Sequence, residues 1–160
     1  MIDTPDVIDN NTENAPNTLD KTIQTLRPEF YEGAKSCRRA VLTPQNPLDL
    51  SYDLRAAVAR RITKTAAKPD DLLKEYPVPK DKALLAFSNG ESSDDPKLAM
   101  LAKHVDMIAS EPDKASEKHL SDLQSVGFSV PQIIAISELC AYACFQIRLT
   151  HGLSLMKASA

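Results

Sequence analysis

The sequence has no cluster of basic residues and little excess charge of either sign. Its 160 residues contain 19 lysines and arginines against 22 acidic residues, which gives a net charge of −3. Proteins that bind nucleic acid or an anionic membrane surface need a basic patch, and no run of basic residues with interleaved aromatics occurs here. The composition therefore predicts that neither nucleic acid nor a membrane is a partner.

Cysteine is also scarce. The chain has three cysteines, Cys37, Cys140 and Cys144, and an odd, small number does not make the disulfide framework of a secreted domain. Residues 1–16 are polar and acidic, whereas a signal peptide needs a basic start and an apolar core. Both observations predict a reducing compartment, the cytoplasm.

Signals for β-strands are almost absent. No stretch shows sustained period-two alternation, and no Asn-Gly turn joins two β-branched runs. Apolar residues instead recur at helical spacing, and turn-prone prolines and polar clusters separate these segments. The predicted helices cover residues 17–26, 28–41, 51–66, 69–76, 81–89, 96–110, 116–126 and a long segment from 129. The sequence predicts an all-α, multi-helix bundle of a size that can bury a core.

Residues 129–155 form the longest apolar run. Ser129 and Gln132 have the spacing of a capping box, in which each side chain bonds the backbone N–H of the other residue. The pair His151-Gly152 predicts the end of this helix, because glycine adopts the left-handed C-terminal conformation easily. The polar and charged members of the run are Glu138, Gln146, Arg148 and His151. They make it a poor membrane span, so we expect a helix that is buried on most sides.

Four segments, taken in order, match the pattern of a known family. Residues 50–62, LSYDLRAAVARRI, combine an ordered start, an arginine and an apolar helix, and residues 95–108 follow as a helix after a variable loop. Residues 119–134 contain a short helix, a glycine, a capping pair and the start of a long helix, and residues 145–153 are similar to the closing helix. In this order and spacing, residues 48–155 resemble the carboxymuconolactone decarboxylase-like (CMD) and alkylhydroperoxidase-like family.

The resemblance implies an organisation for the whole chain. Residues 1–47 resemble the family's peroxidase-related branch more loosely, at residues 4–9 in particular, and form an N-terminal helical extension. Residues 48–155 form the CMD-like helical domain. The resemblance also implies a bundle that buries much of its surface in a homo-oligomer.

The family's redox chemistry uses a Cys-x-x-Cys pair followed four residues later by histidine. One cysteine must be a thiolate at neutral pH, and the second must lie one turn away to form a disulfide with the oxidised first. The resemblance places Lys68, Asp71 and Glu75 at these three positions. None of them replaces a thiol, so the sequence predicts no dithiol peroxidase activity by the family mechanism.

Cys140 and Cys144 are the alternative place for cysteine chemistry. They lie four residues apart on one helix face, where a disulfide has poor geometry. With His151 they suggest a metal cluster, although no fourth ligand lies nearby in sequence. A third interpretation is that both thiols pack as small apolar groups. Cys37 stands beside two arginines, which either lower its pKa or form a solvated helix end.

Two functional hypotheses remain from the sequence. The favoured one is a non-catalytic CMD-like domain that serves as an oligomerisation or partner module, with a catalytic CMD-like domain or protein as a possible partner. The alternative is an enzyme of the same family, which reduces hydroperoxides or uses acid–base residues on a small lactone acid. Its candidates are Glu75, Glu138, Arg148 and His151, with Cys140 and Cys144 if it is a redox enzyme. Neither hypothesis requires a cofactor or a metal.

Several other side chains have structural interpretations. Glu138 and Arg148 lie on an otherwise apolar helix, where they either line a pocket or anchor a helix or subunit interface. His104 and His119 are expected to face solvent. Tyr142 and Phe145, three residues apart in the sequence, are expected in the core or in an interface.

Overall fold

Every regular element that the structure describes is a helix. The structure is a computed structural model that describes residues 21–158. Part of the first predicted helix, and residues 4–9 of the family resemblance, belong to residues 1–20 and so lie outside the described residues. The elements are α1 Lys21–Leu26, α2 Pro28–Leu42, α3 Tyr52–Thr63, α4 Asp70–Leu73, α5 Lys82–Ser88, α6 Pro96–Ser110, a 3₁₀ turn Pro112–Lys114, α7 Glu117–Ser125 and α8 Val130–Ala158. The prediction of an all-α multi-helix bundle is confirmed.

Polar side chains at the helix starts determine where several helices begin. The Ser129 N–H donates to Gln132 Oε1 at 2.9 Å and the Gln132 N–H donates to Ser129 Oγ at 3.4 Å, which confirms the predicted capping box. The Gln132 amide also donates to the Leu48 carbonyl at 2.8 Å and so attaches the start of α8 to the loop before α3. The side chains of Ser51, Asp81 and Asp95 cap α3, α5 and α6 by accepting hydrogen bonds from backbone N–H groups of the first turn. Each such cap contributes about 1 kcal/mol.

Helix α8 does not end at the His151-Gly152 pair, so the predicted end was wrong. The helix continues to Ala158, and Gly152 lies in its interior, where a Cβ atom would meet no other part of residues 21–158 within 4 Å. A single glycine costs a helix only about 1 kcal/mol relative to alanine, which the neighbouring turns can offset. Gly90 and Gly127, with φ of 86° and 91°, follow the ends of α5 and α7, where glycine adopts the left-handed conformation easily.

The core lies around α3 and α8. The inner face of α3 is made largely of small residues, and these let the two helices pack closely. Helix α8 also contacts α2, α6 and α7, while α3 contacts α5. The buried residues of the two central helices include Ala56, Ala57, Val58, Ala59 and Ile62 of α3 and Ile133, Ile136, Leu139, Cys140 and Ala143 of α8. Because α8 packs along one side only, its other side faces solvent.

Arg55 joins three parts of the fold. It is only 3% exposed, and burial lowers its pKa. Its guanidinium donates to the carbonyl oxygens of Val41 at 2.8 Å, Pro47 at 2.9 Å and Leu50 at 3.3 Å. This arginine therefore holds the end of α2 and the following loop against α3.

His104 on α6 is buried, which contradicts the expectation that it faces solvent. It is 4% exposed, and neither ring nitrogen has a hydrogen-bond partner among residues 21–158. The charged neighbours Lys103 and Asp106 are exposed, but helical periodicity places His104 on the face of Leu101 and Ile108. Its position on the helix, rather than its neighbours in sequence, determines its burial.

The segment Val130–Met156 of α8 is long and apolar enough to cross a membrane by length and composition. Its most apolar window has a mean hydropathy of 1.4, and 44% of that window is buried within the fold. Core helices of globular bundles meet the same criterion. The packing of α8 against α2, α3, α6 and α7 accounts for its apolar character on the buried side.

Candidate functional site

The three thiols differ in exposure and in acidity. None is in a disulfide: Cys37 is exposed, Cys144 is half-buried and Cys140 is buried. Burial raises the pKa of Cys140 to about 12. Burial also raises the pKa of Cys144, and the nearby charge of Arg148 offsets this only in part. At neutral pH both α8 cysteines are therefore protonated thiols, which are poor nucleophiles and poor metal ligands.

Residues 21–158 contain no group of three or more histidine, cysteine, aspartate or glutamate side chains placed to hold a metal ion. Cys140, Cys144 and His151, the metal cluster considered from the sequence, do not form such a group. Cys140 lies in the core, whereas His151 is exposed near the end of α8.

The three residues that the family resemblance aligned with its redox motif lie in different local structures. Lys68 is exposed in the turn between α3 and α4, and Asp71 is exposed on α4, where Lys74 Nζ lies 2.8 Å from its carboxylate. Glu75 follows α4 and is only 6% exposed. They are therefore not arranged along one continuous helix.

Glu75 belongs to a largely buried group of side chains, which we call the Arg38 cluster and define as the half-buried Arg38 with the buried Glu75, Tyr76 and Tyr142. Arg38 Nη1 lies 3.6 Å from Glu75 Oε2, and Arg38 Nη2 donates to the Glu75 backbone carbonyl. The guanidinium also lies 5.4 Å from the centre of the Tyr76 ring. Burial raises the pKa of both tyrosines, and Arg38 partly opposes this at each. The cluster thus joins α2, the turn after α4, and α8.

Glu75 is a site candidate on the sequence alone, whereas Arg38 is not. Arg38 was considered only as a neighbour of Cys37, because nothing local links it to a carboxylate 37 residues away. The sequence offered only a general indication for Arg38, namely that a charged residue near the apolar face of an amphipathic helix needs a partner. In the structure both tyrosines stay protonated at neutral pH, and the carboxylate is paired with an arginine.

A shallow depression between α3 and α8 has no enclosed space that would hold a water molecule. It is lined by Leu50, Leu54, Arg55, Val58, Ala135, Ile136 and Leu139. Pockets that hold small ligands measure about 300–1,000 Å³. This depression is smaller, its lining is almost entirely apolar, and it includes none of the four acid–base candidates.

The other three acid–base candidates lie on the solvent side of α8. Glu138, Arg148 and His151 are all exposed. Glu138 and Arg148 are ten residues apart, about 15 Å along the helix axis, so they cannot pair within one chain. The structure therefore separates these three side chains from Glu75, which lies in the buried Arg38 cluster.

The solvent side of α8 also exposes large apolar side chains. We define the α8 stripe as the exposed residues that repeat along this side at alternating spacings of four and three: Ile134, Glu138, Ala141, Phe145, Arg148 and Gly152. Ile134 is 54% exposed and Phe145 is 36% exposed. Val130, one turn before Ile134, extends the apolar surface. Such a row along one helix is typical of a surface that another helix covers.

Phe145 has a defined position at the centre of the stripe. Its ring lies 6.0 Å from the ring of Phe30 on α2 and 6.4 Å from that of Tyr142. The sequence placed both α8 aromatics in the core or in an interface. Tyr142 is buried, whereas Phe145 keeps one side open to solvent.

Comparisons of the chain with family models, with curated proteins and with solved structures found no match.

Proposed function

We propose that this protein is a helical interaction module, a CMD-like domain that assembles with other subunits and has no dithiol peroxidase activity. The observation that carries the proposal is the α8 stripe, a row of exposed apolar and charged side chains on the helix that also forms the centre of the core. A stripe on so well-packed a helix offers a rigid surface, and a rigid surface binds without a large loss of conformational entropy.

The state of the thiols supports the absence of redox chemistry. A peroxidase cysteine attacks as a thiolate, and the pKa of Cys140, at about 12, leaves almost no thiolate at neutral pH. Cys37 is exposed, and the structure pairs it with no second cysteine that could form a disulfide. The free thiols are consistent with the cytoplasm, which we include in the proposal.

Self-association is the first form of assembly that we propose, and a complex with a catalytic CMD-like domain or protein is the second. In the second arrangement this chain stands in for one half of a two-domain peroxidase-related protein. The same stripe would be the contact surface in both arrangements.

The first experiment measures assembly. We expect light scattering after size-exclusion chromatography to give a mass that is a multiple of one chain, and Ile134→Glu to shift it toward the monomer. Leu120→Glu is the matched control, because Leu120 is 46% exposed on α7, away from the stripe. A wild-type monomer at every concentration, with no CMD-like protein bound, would contradict the proposal.

The second experiment tests for activity. The purified protein is supplied with an organic hydroperoxide and a dithiol donor, and we expect no turnover above the rate without protein. Turnover that is lost in Cys140→Ser or Cys144→Ser would overturn the proposed absence of dithiol chemistry.

The Arg38 cluster favours an acid–base enzyme as a second candidate function. A buried carboxylate between an arginine and two tyrosines is the kind of group that active sites contain. The test is decarboxylation of a small lactone acid, with Glu75→Gln as the variant that removes the carboxylate charge. Activity that depends on Glu75 would favour this candidate over the interaction module.

A further inference from the structure

We propose that the α8 stripe binds the α8 stripe of a second copy of this chain, antiparallel and around a two-fold axis, with Glu138 of each copy opposite Arg148 of the other. This inference rests on the proposed function, because it names the partner and the register of the same surface.

The spacing of the stripe suits a second helix. Positions 134, 138, 141, 145, 148 and 152 alternate in steps of four and three residues, so the row stays on one side of α8 for about 27 Å. Two helices that each carry such a row pack along it with their side chains interdigitated. The opposite side of α8 is already buried against the rest of the bundle, so this row is the side that α8 offers to a partner.

The charges select the antiparallel orientation. Glu138 and Arg148 lie at equal distances, five residues each, on either side of position 143. If the two-fold axis passes beside that position, Glu138 of each copy meets Arg148 of the other, and both charges gain an opposite partner. A parallel pairing would bring glutamate to glutamate and arginine to arginine, which is repulsive.

The sizes of the side chains fit the same register. Equal distances from position 143 place Phe145 opposite Ala141 and Ile134 opposite Gly152, so each large side chain meets a small one. Gly152 supports this independently, because glycine inside a helix is unfavourable and no other element among residues 21–158 lies within 4 Å of where a Cβ would be. The approach of a second helix gives this glycine a packing role.

The experiment reverses the two charges singly and together, and sedimentation equilibrium over a range of protein concentrations measures the dimer dissociation constant of each variant. Each single variant, Glu138→Arg or Arg148→Glu, changes two contacts by symmetry, and we expect it to raise the dimer dissociation constant about 10- to 100-fold. The double variant, which exchanges the two charges, should restore the wild-type constant. A mixture of the two single variants should also form a dimer, because every contact between the two chains is then attractive.

Asp113→Arg and Lys82→Glu are the matched controls. They make the same changes in net charge at exposed positions away from α8, and we expect them to leave the dimer unchanged. Circular dichroism of each variant confirms that it folds.

The outcomes separate the two proposals. If the wild-type protein assembles but the single reversals do not weaken it, or the double variant is not restored, this register is wrong and the interaction module still stands. If the wild-type protein is monomeric at every concentration, the antiparallel dimer is wrong, and the interaction module stands only if a CMD-like protein binds.

Discussion

The buried imidazole of His104 links the stability of this protein to pH. Burial, and to a lesser extent the nearby His119, lower its pKa below the ordinary value of 6.5. The unfolded chain therefore binds a proton at this residue more readily than the folded protein does. The neutral imidazole makes its full contribution to the free energy of unfolding above pH 6.5. This contribution is lost as the pH falls below 6.5 toward the lowered pKa.

We expect the free energy of unfolding to fall in that range by up to about 1.4 kcal/mol per pH unit on account of this residue. Urea denaturation at a series of pH values measures the slope. His104→Leu should flatten it, while His151→Gln, which removes an exposed histidine, should not. An unchanged slope in His104→Leu would show that His104 is not the responsible group.

The thiols provide a second prediction at the residue scale. Treatment of the native protein with a thiol reagent at mildly alkaline pH should modify Cys37 first and Cys144 more slowly. Cys140 should react only after unfolding, because it is buried and burial raises its pKa to about 12. Mass spectrometry of the digested protein measures each rate, and equal rates at Cys37 and Cys140 would contradict the burial of Cys140.

At the scale of the element, α8 has a weak point at Gly152. Gly152→Ala should stabilise the helix by about 0.5–1 kcal/mol, because alanine loses less conformational entropy and its Cβ would meet no other element of the described residues within 4 Å. Denaturant unfolding of dilute protein measures this effect apart from assembly.

Gly127→Ala is the control for this prediction. Gly127 has a φ of 91°, a conformation that is strained for alanine, so the same substitution should destabilise the protein there. If both substitutions change the free energy of unfolding in the same direction, Gly152 is not in the relaxed helical conformation that the structure gives it.

At the scale of the whole molecule, Arg55 is the side chain that connects α2, the following loop and α3. Arg55→Leu leaves three carbonyl oxygens without their donor, and we expect it to cost about 3 kcal/mol or more. Arg39→Leu, at an exposed arginine of α2, should change the free energy of unfolding by no more than about 0.5 kcal/mol. Guanidinium denaturation measures both, and a similar small effect for the two variants would contradict the linking role of Arg55.

The sequence by itself determined the helices, because helix starts, stops and faces depend on residues within one or two turns. The bounds of α6 and the capping box of Ser129 and Gln132 were predicted correctly from such local patterns. The same reasoning was wrong at Gly152, because a single glycine was predicted to end a helix that the residues on either side of it continue.

The tertiary structure alone decided which polar groups are buried and which apolar groups are exposed. The pairing of Arg38 with Glu75 joins residues 37 positions apart, and the burial of His104 depends on which face of α6 meets the core. The exposure of the α8 stripe likewise follows from packing, because the sequence of an apolar helix does not show whether the rest of the fold covers one side of it or every side. Contacts between distant parts of the chain decide these features. The periodicity of α6 was a local signal for His104, whereas no local pattern encodes the Arg38–Glu75 pair or the exposure of the α8 stripe.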